Sequence, residues 1–244
     1  MQQYATLFGD HSIGVGQVLL THEDLQHHDR HLNARNTLLA LLERDIVPIV
    51  NENDAVSFTE LKFGDNDRLS ALVASLLPAD LLVILTTADG LIRDFGTPAA
   101  TRLGEVSTIN REVTQMAKGT TSVTATGGMV TKVEAARIAV RSGIPMFIGP
   151  GKQRGILSAM SQGEDVGTLF LPSERKLKGR KRWIAFFHRP KGALIVDRGA
   201  KTALREQGKS LLPKGVSRID GIFSKGEVVS IRDEEGTEFA MGIT

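Results

Sequence analysis

DNDRLSALVASLLPADLLVILTT, residues 65–87, carries two hydrophobic rhythms. From Asp65 the apolar residues recur at helical spacing behind Asp and Asn, whose side-chain oxygens cap helix starts. LLVILTT, 81–87, is then an unbroken apolar run of strand length. The whole tract is interrupted by Pro78 and Asp80 and cannot span a bilayer. A helix that feeds a buried strand is half of an α/β unit, and the flanking sequence repeats it.

Upstream, IGVGQVLL (13–20) suits a buried strand, NARNTLLALLERD (33–45) a helix and IVPIV (46–50) a short strand. Downstream, MVTKVEAARIAVRSG (129–143) reads as a helix ending at a glycine, followed by the strand IPMFIG. GILSAMSQG and GTLFLP add one more helix and strand. The fold class expected is α/β, a three-layer sandwich with a mainly parallel sheet. The tail differs: ALIVD, SRIDGIF, EVVSIRD and EFAMGI are short strands between turns, which suggests a small β-barrel-like domain.

Charge divides the chain at the same place. Residues 1–173 hold 14 Lys+Arg against 19 Asp+Glu, and residues 174–244 hold 16 against 9. The net +2 therefore hides −5 and +7. SERKLKGRKR (173–182) reads as a basic linker, which puts one domain at 1–173, the linker at 174–182 and a β domain at 183–244. The 244 residues include no cysteine, which excludes disulfides and thiolate chemistry and suits a reducing cytoplasm. MQQYATLFGDHS has no basic region before an apolar run, so it is not a secretory signal, and the chain reads as soluble.

In open α/β sheets ligands bind beyond the carboxyl ends of the strands. IVPIV runs there into Asn51-Glu52-Asn53-Asp54, and LLVIL into Thr86-Thr87. Singly these are also ordinary turn and cap residues. NENDAVSFTELKFGDND (51–67) sets Glu52, Asp54, Glu60, Asp65 and Asp67 against the single cation Lys62. Such crowding calls for a cationic partner, a metal, or a loop that holds the carboxylates apart. In TATGGMVTK (124–132), Gly127 and Gly128 precede a helix whose positive end faces them, and Thr126, Thr131 and Lys132 add donors. That suits a phosphate cradle, although the GxxxxGK[ST] loop is absent. HEDLQHHDRH (22–31) offers zinc-like spacing, but its polarity favours a solvated helix face. Trp183 could stack on a base, yet it reads better as core.

Taken together, NARNTL, VPIVNENDAV, LKFGDNDRLSA, LLVILTT and TGGMVTK, in this order and spacing, resemble the amino-acid kinase family and within it the glutamate 5-kinases. RKRWI, SLLPKGV and GIFSKGEVVSI resemble the PUA domain. The resemblance implies transfer of the ATP γ-phosphoryl to the side-chain carboxylate of L-glutamate, the first step of proline synthesis, with Mg²⁺ on the phosphates. It also implies proline as feedback inhibitor, RNA as a partner of the PUA-like domain, and a homo-oligomer away from membranes. Position by position, Asp54, Asn66 and Asp65 match glutamate-binding residues. Lys132 and Asp67 match the catalytic pair, Asp67 orienting the phosphate-binding lysines. Thr86, Thr87, Thr126, Gly127, Gly128, Met129, Val130, Thr131 and Lys132 match nucleotide-binding segments. The family usually has Asp where Thr87 stands. Met1-Gln2-Gln3-Tyr4 aligns with the interior of a family helix, so the kinase domain is expected to be incomplete at its N-terminus, and the PUA-like domain slightly so at its C-terminus. Sister kinases of carbamate or other amino acids, and a plain RNA-binding module, are the competing readings.

Overall fold

The computed structural model describes residues 1–56, 66–118, 128–174, 177, 179–188 and 190–244, with backbone alone at His22, His28 and Arg180. These residues form two compact units, Met1–Lys178 and Gly179–Thr244.

The first unit opens with helix α1, Gln2–Gly9, and strand β1, Gly14–Leu20. A short helix α2, His22–Gln26, and the longer α3, His28–Leu42, lead to β2, Ile46–Glu52. β1 and β2 pair in parallel from Gly14↔Ile46 to Leu20↔Glu52, so α2 and α3 form the crossover that a parallel pair requires. Gly16 keeps β1 close to α3: a Cβ there would stand 3.3 Å from Leu41. A capping box starts α2. Thr21 Oγ1 accepts from Asp24 N–H, and the Asp24 carboxylate accepts from Thr21 N–H and its hydroxyl.

Helix α4, Asn66–Leu76, then feeds β3, Leu82–Thr86. A hairpin follows, β4 at Ile92–Arg93 and β5 at Thr101–Arg102, then β6, Glu105–Val106, and α5, Arg111–Lys118. Helix α6, Met129–Arg141, leads through Gly143 (φ +84°) into β7, Met146–Pro150. Helix α7, Ile156–Ser161, and β8, Thr168–Phe170, complete the unit. The larger sheet runs β3-β7-β8-β6; β3 with β7 and β6 with β8 are parallel, and β8 returns antiparallel to β7. β7 is central and buried from Met146 to Gly149, which is why its sequence is apolar without alternation. α4 packs on α6, and both helices bury small and branched residues, Leu69, Ala71 and Leu72 on the first and Val133, Ala135, Ala136 and Ala139 on the second. Arg102 anchors the region after β3: it bonds the Gly167 and Asp165 carbonyls and pairs with the Asp165 carboxylate at 2.8 Å.

In the second unit, α8, Gly179–Phe187, precedes β9, Gly192–Val196, and α9, Arg198–Arg205. Strands β10, Val216–Gly221, β11, Val228–Arg232, and β12, Glu238–Ile243, follow a short 3₁₀ turn at Pro213–Gly215. The sheet order is β10-β9-β11-β12, mixed, with β9 and β11 parallel. The two inner strands carry the core, Ala193, Ile195, Val196, Val228, Val229 and Ile231, while the edge strand β10 is exposed along most of its length. Residues 179–182, which the sequence reads as the end of a linker, form the first turn of α8. Trp183 therefore sits in a helix rather than at the start of a β domain, meeting His188 edge-on at 4.2 Å.

Candidate functional site

Two short connections decide where the chemistry lies. α4 packs on β3 and reaches it through residues 77–81, so the helix runs back along the strand. Its first turn therefore stands over the strand's carboxyl end. α6 packs on β7 and is joined to it through residues 142–145, with the same consequence. Because β3 and β7 are parallel and end together at Thr86↔Pro150, both helix N-termini and Thr86-Thr87 share one edge. Helix N-termini carry unsatisfied N–H groups and partial positive charge, so this edge favours an anion.

At that edge a cluster joins residues 64 and 65 positions apart in sequence. Asp67 in the first turn of α4 accepts at Oδ2 from Lys132 Nζ at 2.9 Å and from the Thr131 hydroxyl at 2.9 Å. The Thr131 oxygen also lies 2.8 Å from the Gly128 carbonyl. The pair is largely withdrawn from water, with side-chain exposures of 11% for Lys132 and 13% for Asp67. A single carboxylate thus fixes a lysine beside two helix N-termini. The lysine has three donors, and this bond uses one of them.

The remaining residues expected at the site fall in several places. Thr86 and Thr87 share the edge but not the hydrogen-bonded cluster; Thr86 O accepts from Gly151 N–H at 2.7 Å. Asp54 is exposed in the turn after β2, where Asn53 N–H donates to Leu20 O at 2.9 Å. Asn66 is exposed at the start of α4. Met129 is 6% exposed, so its side chain belongs to the core and only its backbone can serve a ligand. Val130 faces solvent. Gly128 has φ −79° and ψ −170°, extended geometry open to any residue, so its backbone angle does not require glycine. Asp65, Thr126 and Gly127, with Glu60 and Lys62, lie outside the described residues. The bond between Thr131 and Asp67 had no signal in the sequence, since nothing local links two residues 64 apart.

Elsewhere, Asp24 of the histidine-rich stretch serves the capping box, and His31 Nδ1 meets Leu25 O at 3.1 Å. Among the described residues no group of three or more His, Asp or Glu could hold a metal ion. No helix among them is long and apolar enough to cross a membrane. The second unit has a pocket of about 340 Å³ lined by Ala200, Ala203, Lys209, Leu211 and Lys214 beside Asp197, which caps α9 through Ala200 N–H.

The amino acid kinase family model matches residues 1–150, and the PUA domain model matches residues 192–244. The glutamate 5-kinase of Trichlorobacter lovleyi is 48% identical over 245 residues, covering 100% of this chain and 65% of its own length. The glutamate 5-kinase of Syntrophotalea carbinolica is 49% identical over 231 residues, covering 94% of this chain and 62% of its own. The chain therefore spans 62–65% of the length of these relatives. A carbamate kinase from Giardia lamblia bound to AMP-PNP overlays with a TM-score of 0.44 at 20% identity, over 57% of this chain and 49% of that one, which is too slight an overlap to add weight.

Proposed function

The chain belongs to the amino acid kinase family, and from that premise we propose that it acts as a glutamate 5-kinase. The observation that carries the reading is the Asp67–Lys132 pair set between two helix N-termini at the carboxyl edge of β3 and β7. In the reaction, a side-chain carboxylate oxygen of L-glutamate attacks the γ-phosphorus of ATP. The bond from that phosphorus to the β–γ bridging oxygen breaks, and ADP leaves with the electron pair. The products are L-glutamyl 5-phosphate and ADP. Such transfer depends mainly on positioning and on stabilising the charge spread over the phosphoryl oxygens.

Each role then follows from the chemistry of the side chain. Lys132 neutralises charge on the moving phosphoryl, and Asp67 holds it in place. Asp54, with Asp65, answers the substrate ammonium, while Asn66 offers amide donors to its carboxylates. Thr86, Thr87 and the run Thr126–Lys132 face the nucleotide, Met129 through its backbone. Mg²⁺ would arrive on the ATP phosphates, since it is usually held by phosphates and water with few protein ligands. The described residues offer no carboxylate cage of their own. On this reading the kinase domain occupies 1–173 and the enzyme is a cytoplasmic homo-oligomer subject to proline feedback.

The test is ATP-dependent hydroxamate formation with hydroxylamine, comparing L-glutamate, L-aspartate, N-acetylglutamate and carbamate as acceptors. Glutamate alone should support turnover. Turnover with another acceptor and none with glutamate would move the chain to a sister kinase. A second reading rests on the +7 charge of residues 174–244, through which the PUA domain would bind RNA. A gel shift of the chain with structured RNA should then weaken steeply with salt, and no shift at low salt would dismiss RNA.

A further inference from the structure

Thr131 stands in a segment assigned to the nucleotide, yet its hydroxyl is already engaged inside the protein. We propose that the Thr131 hydroxyl positions the Asp67–Lys132 pair and is not itself a ligand of the nucleotide, which leaves only the Thr131 backbone to face it. The inference rests on the reading above, in which Lys132 meets the phosphoryl group.

The argument is one of proton inventory. A threonine hydroxyl has one hydrogen to donate. Phosphate oxygens at neutral pH are acceptors, so a threonine that binds them must give them that hydrogen. Here the Thr131 oxygen has two acceptors in place, Asp67 Oδ2 at 2.9 Å and the Gly128 carbonyl at 2.8 Å. Turning to a phosphate would strip a donor from a largely buried carboxylate, and that loss is costly. Lys132, next in sequence, differs in its inventory: an ammonium carries three hydrogens, so donating one to Asp67 at 2.9 Å does not exhaust it. The two neighbours therefore divide the work. Lys132 reaches outward, and Thr131 steadies the carboxylate that aims it. When Lys132 shifts toward a phosphate, the hydroxyl keeps Asp67 in register.

The test is a double-mutant cycle on the full chain with Thr131→Val, Asp67→Asn and their combination, plus Thr131→Ser as the conservative control. Glutamate-dependent kcat and KM for ATP are read beside the dissociation constant of an ATP analogue by calorimetry. Thr131→Val should lower kcat about tenfold, as expected for losing one hydrogen bond to a charged group, and leave KM and the dissociation constant within about twofold. Thr131→Ser should restore kcat. In the Asp67→Asn background, Thr131→Val should cost no more than about twofold, because the group it acts through is gone. A tenfold rise in KM or in the dissociation constant would overturn the proposal. So would an undiminished kcat loss in the Asp67→Asn background.

One of these readouts does not depend on turnover. The dissociation constant of the ATP analogue should agree within about twofold in wild type, Thr131→Val and Thr131→Ser, because the hydroxyl gives the nucleotide no hydrogen bond. A tenfold weakening confined to Thr131→Val would overturn the proposal, whatever acceptor the wild-type chain uses. Absence of glutamate-dependent turnover in the wild type would instead count against the kinase reading alone.

Discussion

On the proposed reading Lys132 has a bounded task, to hold a positive charge at one point on the sheet edge, and Asp67, 2.9 Å away, sets that point. Replacing Lys132 by Ala removes the charge and leaves a nearly buried carboxylate without its ammonium. Turnover should fall by about 10²–10³, as for loss of one preorganised donor. Stability should fall by about 3 kcal/mol, the lower range for breaking a buried pair, and steady-state kinetics with urea titration will read both. A different carboxylate reports on pH. Lys201 first, and then Thr237 N–H, hold Asp233 below the usual carboxylate range against the upward push of burial. A lowered folded pKa means the stabilisation is complete above the unfolded value and is lost as pH falls through the folded one. The melting-temperature gap between wild type and Asp233→Asn should therefore be full near neutrality and close in acid. A gap that widened in acid would reverse the assignment.

Among the elements, those with continuous apolar sequence or a full helical period were the most legible. β3 and β7 are unbroken apolar runs, and α4 and α6 show a clear helical period. The two helices pack together and both bury alanines, so their packed region tolerates little change in volume. Leu72→Ala, at a side chain with no exposure, should cost about 2–5 kcal/mol in denaturant unfolding, the usual range for a buried leucine. Thr21→Ala should cost about 1 kcal/mol by removing the α2 capping box. α5 and α9 escaped the sequence reading because their apolar residues are few and their charges many, and α8 because its basic first turn reads as linker. Such helices form because a neighbour covers one face, as α6 covers α5 through Arg137 and the Thr114 hydroxyl at 3.0 Å. β4 and β5, two residues each, are too short to show a period.

At the scale of the molecule, each of the two compact units buries apolar residues of its own. Destabilising one should loosen that unit's amides first, because cooperative opening follows packed cores. In hydrogen exchange, Leu72→Ala should speed the amides of α4, α6, β3 and β7 and leave β9 and β11 unchanged. Val229→Ala should do the reverse. Equal acceleration across both units in either variant would show that they open together.

Periodicity and charge, which any stretch of chain displays without reference to its neighbours, determined the alternation of helix and strand, the change in character near residue 174, and the polar residues at the strand ends. Tertiary structure decided the rest. It made β8 return antiparallel, placed Met129 in the core, and joined Asp67 to Thr131 and Lys132. The physical reason is range. A hydrophobic period is a property of residues a few positions apart, whereas a bond across 64 positions exists only after two helices have packed and brought their first turns to one edge.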